Sequence, residues 1–205
     1  MSIPNQFDPM GTLGIQVFNT LHLPIGTAIS GIVYKTPFNG AVTGKCDVDM
    51  LTFNNPVTVE GGISFAVGGW GVAGSCMINI RNGGESYNVI CAPLVYRSKG
   101  TSSLFWLNLP ISVTQHIVCL VEQNKCVSIV NGVERVDSSF SEIDATGKDF
   151  KIAGSNLVNE FDIHSVEFTD GVNTLKFVPA RRNGLSGLYE LYAKNFHPIP
   201  SSTAF

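Results

Sequence analysis

The chain has 205 residues, 44% of them hydrophobic, with 21 glycines, 10 prolines and 13 phenylalanines, which supplies a buried core and frequent turns and points to an all-β domain. Only 14% of residues are charged, against roughly 25% in ordinary soluble domains, so few faces are well solvated and self-association or docking into a larger assembly is expected. A net charge of -3 without any basic run argues against a nucleic-acid partner held through phosphate contacts.

No lysine or arginine precedes Lys35, and Pro4, Asp8, Pro9 and Gly11 interrupt the opening segment, so neither part of a secretory leader is expected there. Strands are expected over 17–23, 28–34, 57–67, 76–81, 87–96, 104–109 and 115–121, each rich in β-branched or aromatic residues and bounded by Gly, Pro or Asn. Asp47 and Asp49 alternate along a strand onto one face, but two carboxylates fall short of the roughly six to eight oxygens that Ca2+ takes. No metal is assigned. Residues 61–80 are uncharged and of membrane-spanning length, yet their glycines, with Ser64, Ser75 and Asn79, read as Gly-punctuated strands rather than a transmembrane helix, and no membrane insertion is expected. Gly68-Gly69-Trp70-Gly71 reads as a turn or bulge cluster, since no helix follows it and it lacks the Lys-Ser/Thr pair of a phosphate loop.

Asn82-Gly83 and Asn131-Gly132 are two-residue hairpin signals, because a type I′ turn needs positive φ at both central residues. The second is expected to join arms at 126–130 and 133–137. Five cysteines, Cys46, Cys76, Cys91, Cys119 and Cys126, cannot all pair within one chain and show no Cys-x-x-Cys spacing, and several lie in apolar runs, which points to buried free thiols. Cys119 and Cys126, flanking a short turn at Gln123-Asn-Lys125, are the pair placed to face each other across a hairpin.

The last quarter carries the most specific pattern: Asp162-Ile-His-Ser-Val-Glu-Phe-Thr-Asp-Gly-Val, Leu175-Lys-Phe-Val-Pro-Ala-Arg-Arg-Asn-Gly, then Gly187-Leu-Tyr-Glu-Leu-Tyr-Ala-Lys-Asn-Phe-His. This order resembles the closing segment of the LamG-like, concanavalin A-like jelly-roll domains of phage virion proteins and gut-bacterial surface proteins. Upstream, Gln115-His-Ile-Val-Cys-Leu-Val-Glu, Val127-Ser-Ile-Val-Asn-Gly-Val-Glu and Phe150-Lys-Ile-Ala resemble that family's preceding strands, so the resemblance is clearest over 103–205. It departs from the family at Glu190, where Asp is usual, and at His197, where Tyr is usual. In this segment Pro179 is expected to break a strand, Arg181 and Arg182 to satisfy nearby carboxylates or carbonyls, and Tyr189, Tyr192 and Phe196 to cover one edge.

The resemblance implies an all-β fold, a concanavalin A-like (LamG-like) jelly-roll β-sandwich of two antiparallel sheets; length, with no composition shift to mark a linker, reads as a single domain over 1–205. The resemblance also implies a non-catalytic structural or display domain of a phage virion, such as a capsid decoration, head-fibre or tail-fibre module. Its partners would be further copies of itself or other virion proteins, in a particle assembled in the host cytoplasm, with host-surface glycans as a further contact. The alternative is a carbohydrate-binding, lectin-like adhesion domain, at the cell surface or secreted if a leader has been removed.

A glycoside hydrolase is a distant third. Some concanavalin A-like glycosidases carry Glu-x-Asp-x-Glu on one strand, and Glu160-Phe161-Asp162-Ile163-His164 resembles that pattern with its last carboxylate replaced. A face shared with Val166 and Phe168 suggests packing instead, so no catalytic residue and no cofactor are assigned. For sugar binding, which wants an aromatic platform with polar neighbours, the candidates are Trp70 in its glycine cluster, Trp106 with Asn108, and Tyr87 or Tyr96. Trp106, within Leu104-Phe-Trp-Leu-Asn-Leu, reads first as a core residue. His22, His116, His164 and His197 are scattered in sequence and read as ordinary polar or edge residues.

Overall fold

The structure is a computed structural model that describes residues 14–51, 61–68, 76–83, 88–95, 106–108, 113–122, 125–137, 144–154, 157 and 159–205. Its strands are β1 (Ile15–Val17), β2 (Leu21–Leu23), β3 (Ile29–Lys35), β4 (Thr43–Leu51), β5 (Gly61–Val67), β6 (Cys76–Gly83), β7 (Asn88–Val95), β8 (Trp106–Asn108) and β9 (Thr114–Val121). There follow β10 (Cys126–Val130), β11 (Val133–Asp137), β12 (Asp149–Gly154), β13 (Glu160–Thr169), β14 (Thr174–Arg182), β15 (Leu185–Glu190), β16 (Asn195–Pro198) and β17 (Thr203–Ala204). No helix occurs among the described residues. An 11-stranded sheet runs β11-β10-β9-β4-β13-β14-β15-β16, with β1 beside β14 and β2 between β13 and β17; a 6-stranded sheet runs β3-β12-β5-β6-β7-β8.

The expected β-sandwich of two antiparallel sheets is therefore what the chain forms. Period-two alternation builds it: in β4 Cys46, Val48 and Met50 are buried while Lys45, Asp47 and Asp49 face outward, and in β5 and β12 Phe65, Val67, Phe150 and Ile152 point back from the second sheet. Phe65, Phe150, Phe161, Phe168 and Phe177 are fully buried in the layer between. Phe150 stacks on Phe177 with centroids 4.7 Å apart and meets Phe168 edge-on at 5.4 Å. Each such ring is worth roughly 1.5–3 kcal/mol of burial.

Several local expectations hold and others are corrected. Asn131 and Gly132 take φ of 49° and 80° and close the β10–β11 hairpin as expected. Asn82-Gly83 is not a turn: both residues are paired in β6, opposite Val89 and Asn88 of β7. Cys119 and Cys126 do not face each other, because the register sets Cys126 opposite Val121 and Cys119 opposite Ser128. Cys119 instead lies opposite Cys46 of β4, and both are buried thiols outside any disulfide. Burial, with Cys119 adding to it, pushes the Cys46 thiol up, so it is a poor nucleophile.

Pro179 does not break a strand either; β14 runs through it, with Pro179 opposite Leu188. In an antiparallel strand a residue's N–H and C=O point to the same side, and Pro179 O accepts from Phe18 N at 2.9 Å. Its missing donor therefore falls where β14 changes neighbour, from β13 as far as Phe177 to β1 from Ala180. Arg181 behaves as expected, donating to Ala204 O at 2.8 Å beneath the Phe18 ring. Tyr189 is buried and packs with Phe196, whereas Tyr192 is exposed. Glu190 is fully buried and accepts from the backbone N–H groups of Tyr192 and Ala193, capping the turn into β16.

The β13–β14 turn carries a similar carboxylate cap. Asp170 accepts from Val172 N and Asn173 N at 2.9 and 2.7 Å, and from Asn39 N at 2.9 Å. Desolvation raises its pKa, but these bonds together outweigh it and lower the pKa to about 2. A depressed carboxyl contributes stability above its unfolded pKa of about 3.9, and that contribution fades as pH falls through the folded value. Asp170→Ala is expected to cost about 1 kcal/mol at neutral pH, a modest figure because the carboxylate is partly solvated. The deficit should shrink in urea melts as pH is lowered from 5 towards about 2; a deficit independent of pH would contradict the assignment.

Candidate functional site

On the outer face of the large sheet, β2, β13, β4 and β9 lie side by side, and their registers align four polar residues. His22 sits opposite Asp162, Asp162 opposite Asp49, and Asp49 opposite His116. Their chain neighbours Leu21, Leu23, Phe161, Ile163, Val48, Met50 and Ile117 are all buried, so the alternation that builds the core turns this row outward.

His164 joins this row through a bulge. The β13–β4 register shifts between Ile163, opposite Val48, and Ser165, opposite Asp47, leaving His164 as the extra residue. The same shift carries Val166 and Phe168 into the core. The expectation that Glu160, Asp162 and His164 share a packing face with those two residues is thereby overturned.

The cluster is tightly interconnected. His22 Nδ1 donates to Asp162 Oδ1 at 2.7 Å. Asp49 takes one imidazole on each oxygen, His116 Nδ1 on Oδ1 at 2.8 Å and His164 Nε2 on Oδ2 at 3.1 Å. The other nitrogen of His164 meets Thr20 Oγ1 at 3.3 Å. Asp47 Oδ1 lies 3.8 Å from His116 Nε2, is shielded from solvent and accepts no hydrogen bond. Side-chain exposure ranges from 28% at Asp47 to 52% at His116, so the groups are held in place yet accessible.

Supporting contacts fix the His116 end. Asn131, in the β10–β11 turn, exchanges backbone bonds with His116 through its N and its Oδ1, and its Nδ2 donates to the buried Gln115 at 2.6 Å. At the other end Thr20 and Phe205 exchange both backbone bonds at 3.0 Å. Directly opposed antiparallel residues project to the same face, which puts the exposed Phe205 ring beside the Thr20–His164 contact.

The histidines are thus not scattered polar residues: three of the four converge with three aspartates, while His197 stands apart against Phe177, its pKa lowered by burial. Each carried a local signal, a polar residue at the outward position of an apolar strand, but nothing in the sequence says which strands become neighbours. Of the sugar-binding candidates, Trp70, Tyr87 and Tyr96 lie outside the described residues. Trp106 and Asn108 are in β8, at the end of the second sheet, opposite Ile90 and Asn88; their side chains also lie outside the description. Among the described residues no helix is long and apolar enough to cross a membrane.

The class these observations define is an all-β sandwich of two antiparallel sheets. No protein-family model matches the chain, and no curated protein sequence does. Among solved structures, the CBM2 module of the evolved Dit of Lactobacillus casei BL23 phage J-1 is 12% identical, with 82% of this chain and 79% of that one covered and a TM-score of 0.43. Sheep galectin-11 is 11% identical, with 72% and 99% covered and a TM-score of 0.37. An alginate lyase from Alteromonas sp. is 8% identical, with 85% and 96% covered and a TM-score of 0.44.

Proposed function

We propose that this is a non-catalytic recognition domain that binds a polyhydroxylated ligand, a glycan, on the outer face of its large sheet. The observation that carries the reading is the four-strand row His22–Asp162–Asp49–His116. Its spacing follows the interstrand distance of about 4.8 Å, and it offers carboxylate acceptors beside imidazoles, a mixture suited to hydroxyl groups that both donate and accept. Side chains on strands, locked by mutual hydrogen bonds, lose little freedom on binding. Phe205 supplies an apolar surface at one end for the face of a sugar ring. Asp49 and Asp162 are each engaged by imidazoles, an arrangement that favours binding over glycosidic bond cleavage.

The setting we propose is a virion, as a capsid decoration or fibre module, on the strength of the sequence resemblance. Exposed Leu185, Leu191 and Tyr192 around β15 and the following turn, together with the low charge fraction, support attachment to neighbouring copies or other virion proteins. A glycan array probed with the full chain tests the main reading. Asp162→Ala should weaken the best signal about tenfold or more, and Trp70→Ala should leave it unchanged. Binding that survives Asp162→Ala and is lost in Trp70→Ala would move the ligand off this face.

A further inference from the structure

We propose that Asp47, His116 and His164 form a binding site for a first-row divalent transition-metal ion of the Zn2+ type, with its remaining coordination open to solvent or ligand. One ligand atom from each of the three residues lies within 4.8 Å of the others. Tetrahedral zinc with bonds near 2.0–2.1 Å wants ligand atoms about 3.4 Å apart, so rotamer adjustments on the order of 1 Å close the site.

Two further observations point to a cation. The first is tautomeric: His116 commits its Nδ1–H to Asp49 at 2.8 Å, so in the neutral ring Nε2 carries a lone pair. That lone pair faces Asp47 Oδ1, itself an acceptor, at 3.8 Å. Two acceptors pointed at each other repel unless a positive charge lies between them. The second is that Asp47 Oδ1 is shielded from solvent and without a hydrogen-bond partner, a costly state for a carboxylate oxygen. A metal ion removes both penalties.

The surroundings are those of a metal histidine. Asp49 on His116 Nδ1 reproduces the carboxylate–imidazole–metal arrangement in which an outer carboxylate fixes the ring's tautomer and raises its basicity. His164 joins by giving up either its 3.1 Å bond from Nε2 to Asp49 or the longer contacts of Nδ1, 3.3 Å to Thr20 Oγ1 and 3.4 Å to Asn19 O. Two imidazoles and one carboxylate suit zinc and its neighbours in the first row; Ca2+ and Mg2+ prefer all-oxygen sets. The competing account is a protonated His116 held between Asp47 and Asp49, which satisfies the same geometry without any metal.

The experiment is zinc titration of the chelator-stripped full chain against a chromophoric competitor, with unfolding midpoints recorded with and without Zn2+. We expect one saturable equivalent that raises the midpoint, since an ion binding only the folded state stabilises it. Asp49→Asn should weaken the affinity about 10- to 100-fold, and Asp47→Asn and His116→Ala at least as much. His22→Ala, outside the three ligands, should bind as the parent does. Absence of saturable uptake by a folded parent chain overturns the proposal, as does uptake that Asp47→Asn and His116→Ala leave unchanged while they remain folded. The inference stands apart from the glycan reading: zinc uptake without glycan binding sinks only that reading, and glycan binding indifferent to zinc with no uptake sinks only this one.

Discussion

Gly187→Ala is expected to lose about 3 kcal/mol or more of stability, enough to remove much of the folded population of a marginally stable domain. A Cβ at this position would overlap His197 O and lie 2.8 Å from Pro198 Cα and 2.9 Å from His197 C. All three atoms are backbone on β16, which pairs with β15 at this point, so no side-chain rotation relieves the clash. Moving β16 away would break the bond from Ile199 N to Ser186 O at 3.0 Å and disturb that from Ala204 N to Ser186 Oγ at 3.1 Å. It would also expose Ile199 and disturb β17, which borders β2 and hence His22. Denaturant midpoints of parent and variant check this, and an unchanged midpoint would show that β16 does not pack as described.

Phe177→Ala is expected to cost about 3–5 kcal/mol, the usual range for emptying a core aromatic site. Phe177 is fully buried in β14, stacked on Phe150 of the opposite sheet at an interplanar angle of 18° and flanked by His197 at 6.2 Å. It therefore joins the two sheets, and its removal leaves a cavity that strands hydrogen-bonded on both sides cannot collapse into. Phe177→Leu, keeping most of the volume, should cost roughly half as much or less. Equal losses for the two variants in urea melts would mean that packing volume is not what the ring contributes.

Much of the architecture was legible because period-two alternation is local. Cys-Asp-Val-Asp-Met and Leu-His-Leu announce which side chains turn inward, and Asn131-Gly132 announces its turn by the backbone conformation it tolerates. The errors fall where a neighbour decides. Asn82-Gly83 has turn chemistry, yet pairing with β7 carries the strand past it. Pro179 looks like a breaker, yet it occupies the one stretch of β14 where the strand beside it changes.

The candidate site illustrates the same limit. Asp47 and Asp49 were visible as a pair on one face, and Asp162 and His164 as another, but they meet only because β4 lies between β13 and β9. His22 and His116 are separated by 94 positions in the chain and by two intervening strands in the sheet. The single-residue bulge at His164 hid the site further, since unbroken alternation would have placed that side chain on the same face as the core residues Val166 and Phe168.

The most direct test of the outer-face assignment is long-range imidazole NMR of the histidine-labelled chain, titrated with the best glycan from the array. The resonances of His22, His116 and His164 should move together and saturate at one dissociation constant, while His197, packed against Phe177, stays in place. Saturable binding that leaves these three histidines unmoved would contradict the account.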